Sequence, residues 1–180
     1  YVQADSPANT CEPMSIPDIM NAPSYMFEVH FGDGVVVLRN EAYDIERTIP
    51  VGDAYAKTNP NGMWGSARAR IEGDALVVES KDYPASKWGL AAATQILGGG
   101  ADVPSSPRKT VVERIATSAD GLSLNYDYTV FDPAYMTKEH SARVVLRRAA
   151  DDAQMTPYDC NKDSARQFSR APGQSLLTPN

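Results

Sequence analysis

Residues 64–80 read WGSARARIEGDALVVES, and this stretch predicts the β-hairpin that decides the fold. Segments 64–72 and 75–80 alternate their side chains between two faces, and Gly73 followed by Asp74 suits the tight turn between them. The first strand separates large or cationic side chains from small apolar ones: Trp64, Ser66, Arg68 and Arg70 lie on one face, and Gly65, Ala67, Ala69 and Ile71 on the other. The sequence leaves open which face points inward.

The composition fits one domain built from many short elements. The chain has 180 residues, 42% of them hydrophobic, with 12 Gly and 13 Pro, and a chain of this length buries a core without a metal or a partner. Its net charge of -6 argues against a nucleic-acid or anionic-membrane surface, which needs clustered Lys and Arg. No apolar run approaches the roughly 20 residues of a membrane-spanning helix, so we expect no membrane span.

Strand patterns continue on both sides of the hairpin. They occur at 25–31, 35–39 and 42–50 before it, and at 110–116, 122–130 and 141–148 after it. In the strand 122–130, one face carries the tyrosines and the apolar residues, namely Leu122, Leu124, Tyr126, Tyr128 and Val130. We therefore expect both tyrosines to point inward.

About eight strands joined by hairpins predict an all-β fold, an antiparallel meander that closes into a lipocalin-like barrel. Closure is favoured because it removes both exposed sheet edges. The predicted segments are an N-terminal arm at 1–24, the β-barrel domain at 25–160 and an extended C-terminal arm at 161–180. Helix is limited to a turn at 17–20 and one short helix at 90–97, inside the long loop 82–108.

The two cysteines, Cys11 and Cys160, lie near the two ends of the chain. This placement predicts a disulfide that ties both ends to one body and contributes on the order of 4 kcal/mol in the chain-entropy model; the alternative is two unpaired buried thiols. The chain begins with Tyr1 rather than Met, as a processed or truncated product would, and together with the disulfide this favours a secreted or periplasmic protein. With His30 and His140, the cysteines lack the spacing of metal ligands.

One polar group of residues is a candidate ligand site. It combines Arg68 and Arg70 on one strand, Glu113 or Arg114 on another, and Tyr126 and Tyr128 beside them. An inward-facing arginine with a phenol can hold a carboxylate, or polarise a carbonyl while a carboxylate moves a proton. The alternative is that Arg68 and Arg70 face solvent and pair with Glu72 or Glu113, since charged strand residues are mostly exposed.

Aromatic residues form a second candidate set. They are Tyr25, Trp64, Trp88, Tyr126 and Tyr128, and they can line an apolar pocket with polar tips. Core packing explains them equally well. His30 is a candidate base, but a lone histidine without a partner placed by spacing is more often a surface residue. The sequence has no phosphate-binding glycine loop, nucleophile elbow or Glu-x-x-His pair, so we expect no cofactor and assign no catalytic residue.

Several segments together resemble a family of secreted bacterial proteins of unknown function. Its members carry a pattern close to C-x-P-x-G-x-P near the start, a Pro-Tyr-Pro-Phe-Glu-type first strand, W-M-G-H-S followed by W-E-G-D-T-L-V-V-(D/E), a V-x-E-R-F strand and an Asp-Pro corner followed by Tyr-Thr. The matching segments here are CEP at 11–13, YMFE at 25–28, MWGS at 63–66, IEGDALVVE at 71–79, VVERI at 111–115 and DPAYMT at 132–137. Ser66 stands where the family has histidine. The resemblance implies a lipocalin-type barrel.

Three functions remain open. The leading hypothesis is a secreted barrel that binds a small apolar or aromatic ligand at its open end, under the loop 82–108. The first alternative is a cofactor-independent lyase, isomerase or cyclase, which requires a buried Arg, Tyr or Glu with a shifted pKa facing an open cavity.

The second alternative is a structural subunit of a secreted homo-oligomer or fibre. The arms at 1–24 and 161–180 have too few apolar residues to bury much surface by themselves, and extended segments readily add to the exposed strand edge of a neighbouring copy. The competing explanation is that the disulfide and the surface of the barrel hold both arms within one chain.

Overall fold

Short antiparallel strands account for nearly all the regular structure. The computed structural model describes residues 6–22, 24–92 and 100–162. The strands are β1 (Phe27–Phe31), β2 (Val35–Asn40), β3 (Ile45–Pro50), β4 (Ala56–Lys57), β5 (Ser66–Glu72), β6 (Ala75–Lys81), β7 (Ser86–Ala91), β8 (Val103–Ser105), β9 (Thr110–Thr117), β10 (Ser123–Phe131) and β11 (His140–Arg147). Single turns of 3-10 helix cover Pro7–Thr10, Asp18–Asn21 and Ala42–Asp44. The predicted all-β class is confirmed, with almost no helix among the described residues.

The hairpin predicted at 64–80 is formed by β5 and β6. Gly73 has a positive φ of 62° in the turn, where a side chain would be strained. Ala67 and Ala69 are buried in the core, so the face with small apolar residues points inward. Arg68 and Arg70 consequently lie on the outer face, which answers the question of orientation that the sequence left open.

The strands pair into three sheets. β1, β2 and β3 form one sheet in that order, β11, β10, β9, β6, β5 and β4 form the second, and β7 pairs with β8. Backbone hydrogen bonds also join β3 and its continuation to the second sheet: Thr48 donates to the carbonyl of Thr58 at 2.9 Å, and Gly52 to that of Ala69 at 2.8 Å. The antiparallel hairpins agree with the prediction, but no sheet among the described residues closes into a barrel.

The N-terminal segment belongs to the core. Met14, Ile16, Ile19 and Met20 are buried in the same cluster as the inward side chains of the strands. For the described residues 6–22, this packing agrees with the competing explanation that the arm is held within one chain, because its apolar side chains are buried against the strands rather than against one another. The helical turn expected at 17–20 is present as the 3-10 turn Asp18–Asn21.

The predicted disulfide is present between Cys11 and Cys160, whose Cα atoms are 5.9 Å apart. The segment that precedes Cys160 is also held by hydrogen bonds. Thr156 donates to the Glu41 carboxylate from its backbone N–H at 2.8 Å and from its hydroxyl at 2.7 Å. The disulfide thus fastens the buried N-terminal segment to a C-terminal segment that lies along the turn after β2. Of the C-terminal arm expected at 161–180, residues 163–180 lie outside the described part of the chain.

The helix expected at 90–97 is not formed at its start. Leu90 lies in β7, and residues 93–99 are outside the described part of the chain. The spacing of the apolar residues wrongly predicted a helix here. The end of β7 is buried on both faces, and a strand of this kind does not alternate apolar with polar residues. Gly89 fits this close packing, since a Cβ at that position would lie 1.8 Å from the Ser105 hydroxyl.

Within the described residues, no helix has the length and apolar character needed to span a membrane.

Candidate ligand cleft and the buried polar network

A cleft of about 570 Å³ lies between the first and the last strands of the fold. Its walls come from the beginning of β1, the end of β11 and the beginning of β10. Seven apolar or aromatic side chains line it, namely Tyr25, Met26, Phe27, Leu124, Val145, Leu146 and Ala149. Polar groups surround them, including Ser123, Thr117, Arg147 and Arg148. The cleft therefore combines an apolar surface with a small number of polar groups, as ligand sites usually do.

The floor of the cleft is continuous with the hydrophobic core. Phe27 packs edge-on against Tyr126, with ring centroids 6.3 Å apart, and Tyr126 is fully buried. Leu124 and Leu146 are half-buried and pack against the same core. Leu146 alternates along β11 with the exposed Val145 and Arg147, so it points to the inner side of the sheet. The packing fixes the positions of the apolar groups, which favours binding with little rearrangement.

Tyr25 forms part of the cleft wall and is supported from behind by the C-terminal segment. Its ring lies 5.7 Å from the ring of Tyr158, which in turn packs on Tyr43 at 4.5 Å. The backbone N–H of Tyr158 donates to the Asp44 carboxylate at 3.0 Å. Burial, together with the neighbouring Tyr158 phenol, raises the pKa of Tyr25. The C-terminal segment, which is held by the disulfide, therefore positions the Tyr25 side of the cleft wall.

Apart from the cleft, the structure contains a polar site that is fully buried on the inner face of the sheets. The Arg47 guanidinium on β3 binds both oxygens of Glu113 on β9, at 2.8 and 2.7 Å. Arg47 also donates to the Ser80 hydroxyl at 2.9 Å, and the Tyr126 hydroxyl donates to Glu113 at 2.8 Å. The bidentate geometry is the strong form of an arginine–carboxylate pair.

Strand alternation accounts for the burial of this pair. Arg47 shares its face with Ile45 and Ile49, and Glu113 shares its face with Val111 and Ile115, all of them buried. Burial acts to lower the pKa of Arg47, but the contact with the Glu113 carboxylate outweighs it, so that the net pKa is raised. Burial and the same carboxylate raise the pKa of Tyr126. The phenol therefore stays protonated and acts as a hydrogen-bond donor.

Lys109 attaches the N-terminal segment to the strands. Its ammonium donates to the Ser15 hydroxyl at 2.6 Å and to the carbonyls of Ile16 and Gly89 at 2.9 and 2.8 Å. It also lies 4.1 Å from the centroid of the Tyr83 ring. Burial lowers the pKa of Lys109 to about 7. Three acceptors match the three N–H donors of the charged form, so the geometry fits an ammonium group.

Asp18, on the buried N-terminal turn, accepts a hydrogen bond from the backbone N–H of Ala92 at 2.7 Å. Burial raises its pKa to about 6, although this hydrogen bond and the charge of Lys109 act in the opposite direction.

The pKa of Asp132 is shifted in the other direction. Burial acts to raise its pKa as well, but hydrogen bonds from Ser106 and from the backbone of Ala134 outweigh that effect and lower it.

The polar candidate site proposed from the sequence is divided between two faces. Glu113, Tyr126 and Tyr128 are buried, as expected for the tyrosines, and Tyr126 binds Glu113. Arg68 and Arg70 are instead on the outer face. Both pair with Glu79, and Arg70 also pairs with Glu72. The structure therefore does not bring the two arginines to Glu113, and the solvent-facing alternative describes them, with Glu79 as the main partner.

The other candidates are also separated. Trp64 and Trp88 are buried in the core, and the Trp88 indole donates to the carbonyl of Pro13 at 3.1 Å. Tyr25 is the member of the aromatic set that lines the cleft. Arg114 lies on the outer face near Glu72, and His30 is exposed beside Glu28. Leu122, expected to point inward, is 63% exposed because it precedes β10 in the turn.

The sequence argument missed Arg47, Lys109 and Asp18. A signal existed for Arg47, since it alternates onto the face of Ile45 and Ile49. Lys109 and Asp18 lie in segments next to prolines, where no periodicity indicates which way a side chain points.

Among the described residues, no group of three or more His, Cys, Asp or Glu side chains is placed to hold a metal ion. Comparison with protein families, with curated proteins and with solved structures found no match to this chain. The functional argument therefore rests on the cleft and on the buried network.

Proposed function

We propose that the protein binds a small apolar or aromatic molecule in the cleft between β1 and β11. The observation that carries this proposal is the lining: side chains from the first and last strands present an apolar surface around about 570 Å³. Pockets for small ligands fall in the range of about 300–1,000 Å³ and combine such surfaces with few polar groups. The disulfide supports a secreted or periplasmic location, where such bonds persist.

In this proposal the fold is a lipocalin-like barrel with a lateral opening. Two observations support it. Hydrogen bonds from Thr48 and Gly52 join the three-stranded sheet to the six-stranded one, which leaves β1 and β11 as the two outer strands of the joined sheets. Both of these strands then contribute to one cleft. The ligand occupies the gap between the ends of the curved sheet, where the backbone ladder is interrupted.

This position differs from the open end of the barrel, which the sequence suggested as the entrance. The inner side of the sheets is occupied by the N-terminal segment, whose buried residues include Met14, Ile16 and Ile19. These side chains take the volume that a lipocalin-like barrel would offer to a ligand. The lateral cleft is therefore the better candidate.

The enzyme alternative is less well supported. It requires a polar group with a shifted pKa that faces an open cavity. Arg47, Glu113 and Tyr126 have the required chemistry, but none of them lines the β1–β11 cleft, and all are sealed in the core. Binding without turnover is thus the function that the geometry supports best.

A fluorescence titration with the neutral aromatic probe N-phenyl-1-naphthylamine tests the proposal. We expect saturable binding at one site, weakened about ten-fold by Leu124→Ala, since the loss of a buried leucine contact is worth roughly 1–2 kcal/mol. Val112→Ala is the matched control, because Val112 is apolar but lies on the outer face of β9. Absence of saturable binding, or equal weakening by both substitutions, would contradict the proposal. Addition of candidate substrates to the same samples reports turnover.

A further inference from the structure

We infer that the ligand is an amphipathic carboxylate whose anionic group binds Arg147 at the mouth of the cleft. This inference rests on the proposed function and specifies the chemical class of the ligand. The apolar part of the molecule lies against Phe27, Leu124 and Leu146, and the carboxylate lies at the end of β11.

The charge of the cleft lining differs from that of the whole chain. Acidic residues outnumber Lys and Arg in the sequence, 23 to 17. The residues that line the cleft nevertheless include two arginines, Arg147 and Arg148, and no Asp or Glu. An anion that approaches this protein therefore meets a local cationic site on an acidic molecule, and a cation finds no carboxylate in the lining. This local excess of positive charge favours a negatively charged ligand.

Arg147 is available for binding. Among the residues that the structure describes, the arginines with a carboxylate within ion-pair distance are Arg39, Arg47, Arg68, Arg70, Arg114, Arg143 and Arg148. Arg147 has no such partner there, and its side chain is exposed at the cleft. A guanidinium offers paired N–H donors that match a carboxylate. It can therefore accept a ligand without first breaking an ion pair.

Arg148 can assist at little cost. Its ion pair with Asp151 is 2.8 Å long, and both side chains are largely exposed. Exposed pairs of this type contribute about 0–1 kcal/mol, so a ligand carboxylate can compete with Asp151. Two further carboxylates lie near the cleft. Asp120 accepts hydrogen bonds from Ser118 and from the backbone of Leu122, and Glu41 accepts them from Thr156 and from the backbone of Met26. None of these acids is among the lining residues, and Arg147 and Arg148 are the charged side chains that line the cleft.

The backbone supplies a further donor at the same place. The N–H of Arg148 donates to the carbonyl of Leu122, just before β10, at 2.9 Å. Since successive residues of an antiparallel strand point their N–H groups in opposite directions, the N–H of Arg147 points away from β10, towards the free edge. The same edge borders the cleft. A carboxylate there can accept hydrogen bonds from the guanidinium and from a strand N–H that lacks a ladder partner.

The test compares two probes with the same hydrocarbon chain, the anionic cis-parinaric acid and its neutral methyl ester. Fluorescence titration at pH 7.5 and 50 mM NaCl should show the acid binding about ten-fold more tightly than the ester. The difference should shrink at 500 mM NaCl, because salt screens exposed charges. Arg147→Gln should remove most of the preference for the acid, with Arg148 and the backbone N–H accounting for the remainder, and should leave the affinity for the ester unaffected. Because Arg147 is exposed, this substitution should not disturb folding.

Arg143→Gln is the matched control. Arg143 lies on the same strand and on the same outward side, but it pairs with Asp127 and does not line the cleft. It should preserve the ten-fold preference for the acid. Equal binding of acid and ester by the unmodified protein would overturn the inference while leaving the proposed function intact. Loss of the preference in both variants would also overturn it, since that result indicates general charge attraction. Failure of both probes to bind would instead contradict the proposed function.

Discussion

Arg47 with Glu113, and Arg68 and Arg70 with Glu79, are two arginine–glutamate groups of similar chemistry on opposite faces of the sheets. In the first, the side chains are 2% and 1% exposed. In the second, Arg68 and Arg70 are 31% and 43% exposed, and Glu79 is 22% exposed. Val78 on β6 is paired with Glu113 on β9, so these two side chains share the inner face. Glu79 is the next residue along β6 and is paired with Val112 instead. That offset of one residue places the two glutamates on opposite faces.

The two groups show that the environment, and not the pairing itself, sets the energetic importance of an ion pair. Burial removes both charges from water, and the loss of hydration must be offset by the attraction between them and by further hydrogen bonds. Ser80 and Tyr126 provide such bonds to the inner pair. On the outer face, water hydrates the charges and salt screens them, so each contact has a smaller effect on stability.

Removal of the inner carboxylate by Glu113→Gln has the largest expected effect. Gln keeps the size of the side chain, but it leaves the charge of Arg47 buried without a counter-charge. We expect the free energy of unfolding to fall by about 3–5 kcal/mol. Urea denaturation at pH 7 measures this loss.

The double variant Arg47→Met/Glu113→Leu is the control for this prediction. It removes both charges and keeps most of the apolar volume, so it should be more stable than Glu113→Gln alone. If the single variant is as stable as the unmodified protein, the buried pair does not have the role assigned to it.

Sequence patterns predicted those parts of the fold that depend on neighbours along the chain. The hairpins β1–β2, β5–β6 and β9–β10 follow from alternation and turn residues, and the inward tyrosines follow from the same alternation. Alternation also placed Arg47 with Ile45 and Ile49. It could not show that Arg47 is buried, because that depends on a partner 66 positions away in the sequence.

The same limitation applies to the N-terminal segment and to the cleft. The apolar residues of the segment 6–22 are few and have no regular spacing, and they become core residues only because the strands present an apolar surface to them. The β1–β11 cleft was equally hidden, since it joins residues from opposite ends of the described chain. The sequence pattern named Tyr25 as a pocket residue, but it gave no signal for Arg147, because the absence of an ion-pair partner among the described residues depends on which carboxylates lie near it in the fold.

Asp18→Asn tests the inner face by its dependence on pH. Burial raises the pKa of Asp18 to about 6 from 3.8. Between these values the folded chain keeps a proton that the unfolded chain has lost, so the contribution of Asp18 to stability falls as the pH rises from 4 to 6. In the variant this contribution is absent. The stability of the variant relative to the unmodified protein should therefore increase by on the order of 2 kcal/mol between pH 4 and pH 7.

Urea denaturation at pH 4, 5, 6 and 7 measures this difference. The charged groups that face Asp18 are Lys109 and Asp102, and both are the same in the two proteins. Asn also retains an oxygen that can accept the hydrogen bond from Ala92. If the free energy of unfolding changes with pH in the same way for both proteins, Asp18 is not protonated in this range. That result would contradict strong desolvation of its carboxyl group.

Glu79→Gln has the smallest expected effect and completes the comparison, because it repeats the substitution of Glu113 on the outer face. Glu79 accepts hydrogen bonds from Arg68 at 3.0 and 2.8 Å, and from Arg70 and Tyr55; these bonds, that from Arg68 above all, lower its pKa to about 2. Its stabilising contribution is therefore present above pH 4.5 and is lost as the pH falls towards 2. At pH 7 the loss on substitution should be several-fold smaller than that for Glu113→Gln, and should shrink further from 0.05 to 0.5 M NaCl. A loss equal to that of Glu113→Gln and insensitive to salt would show that burial does not distinguish the two faces.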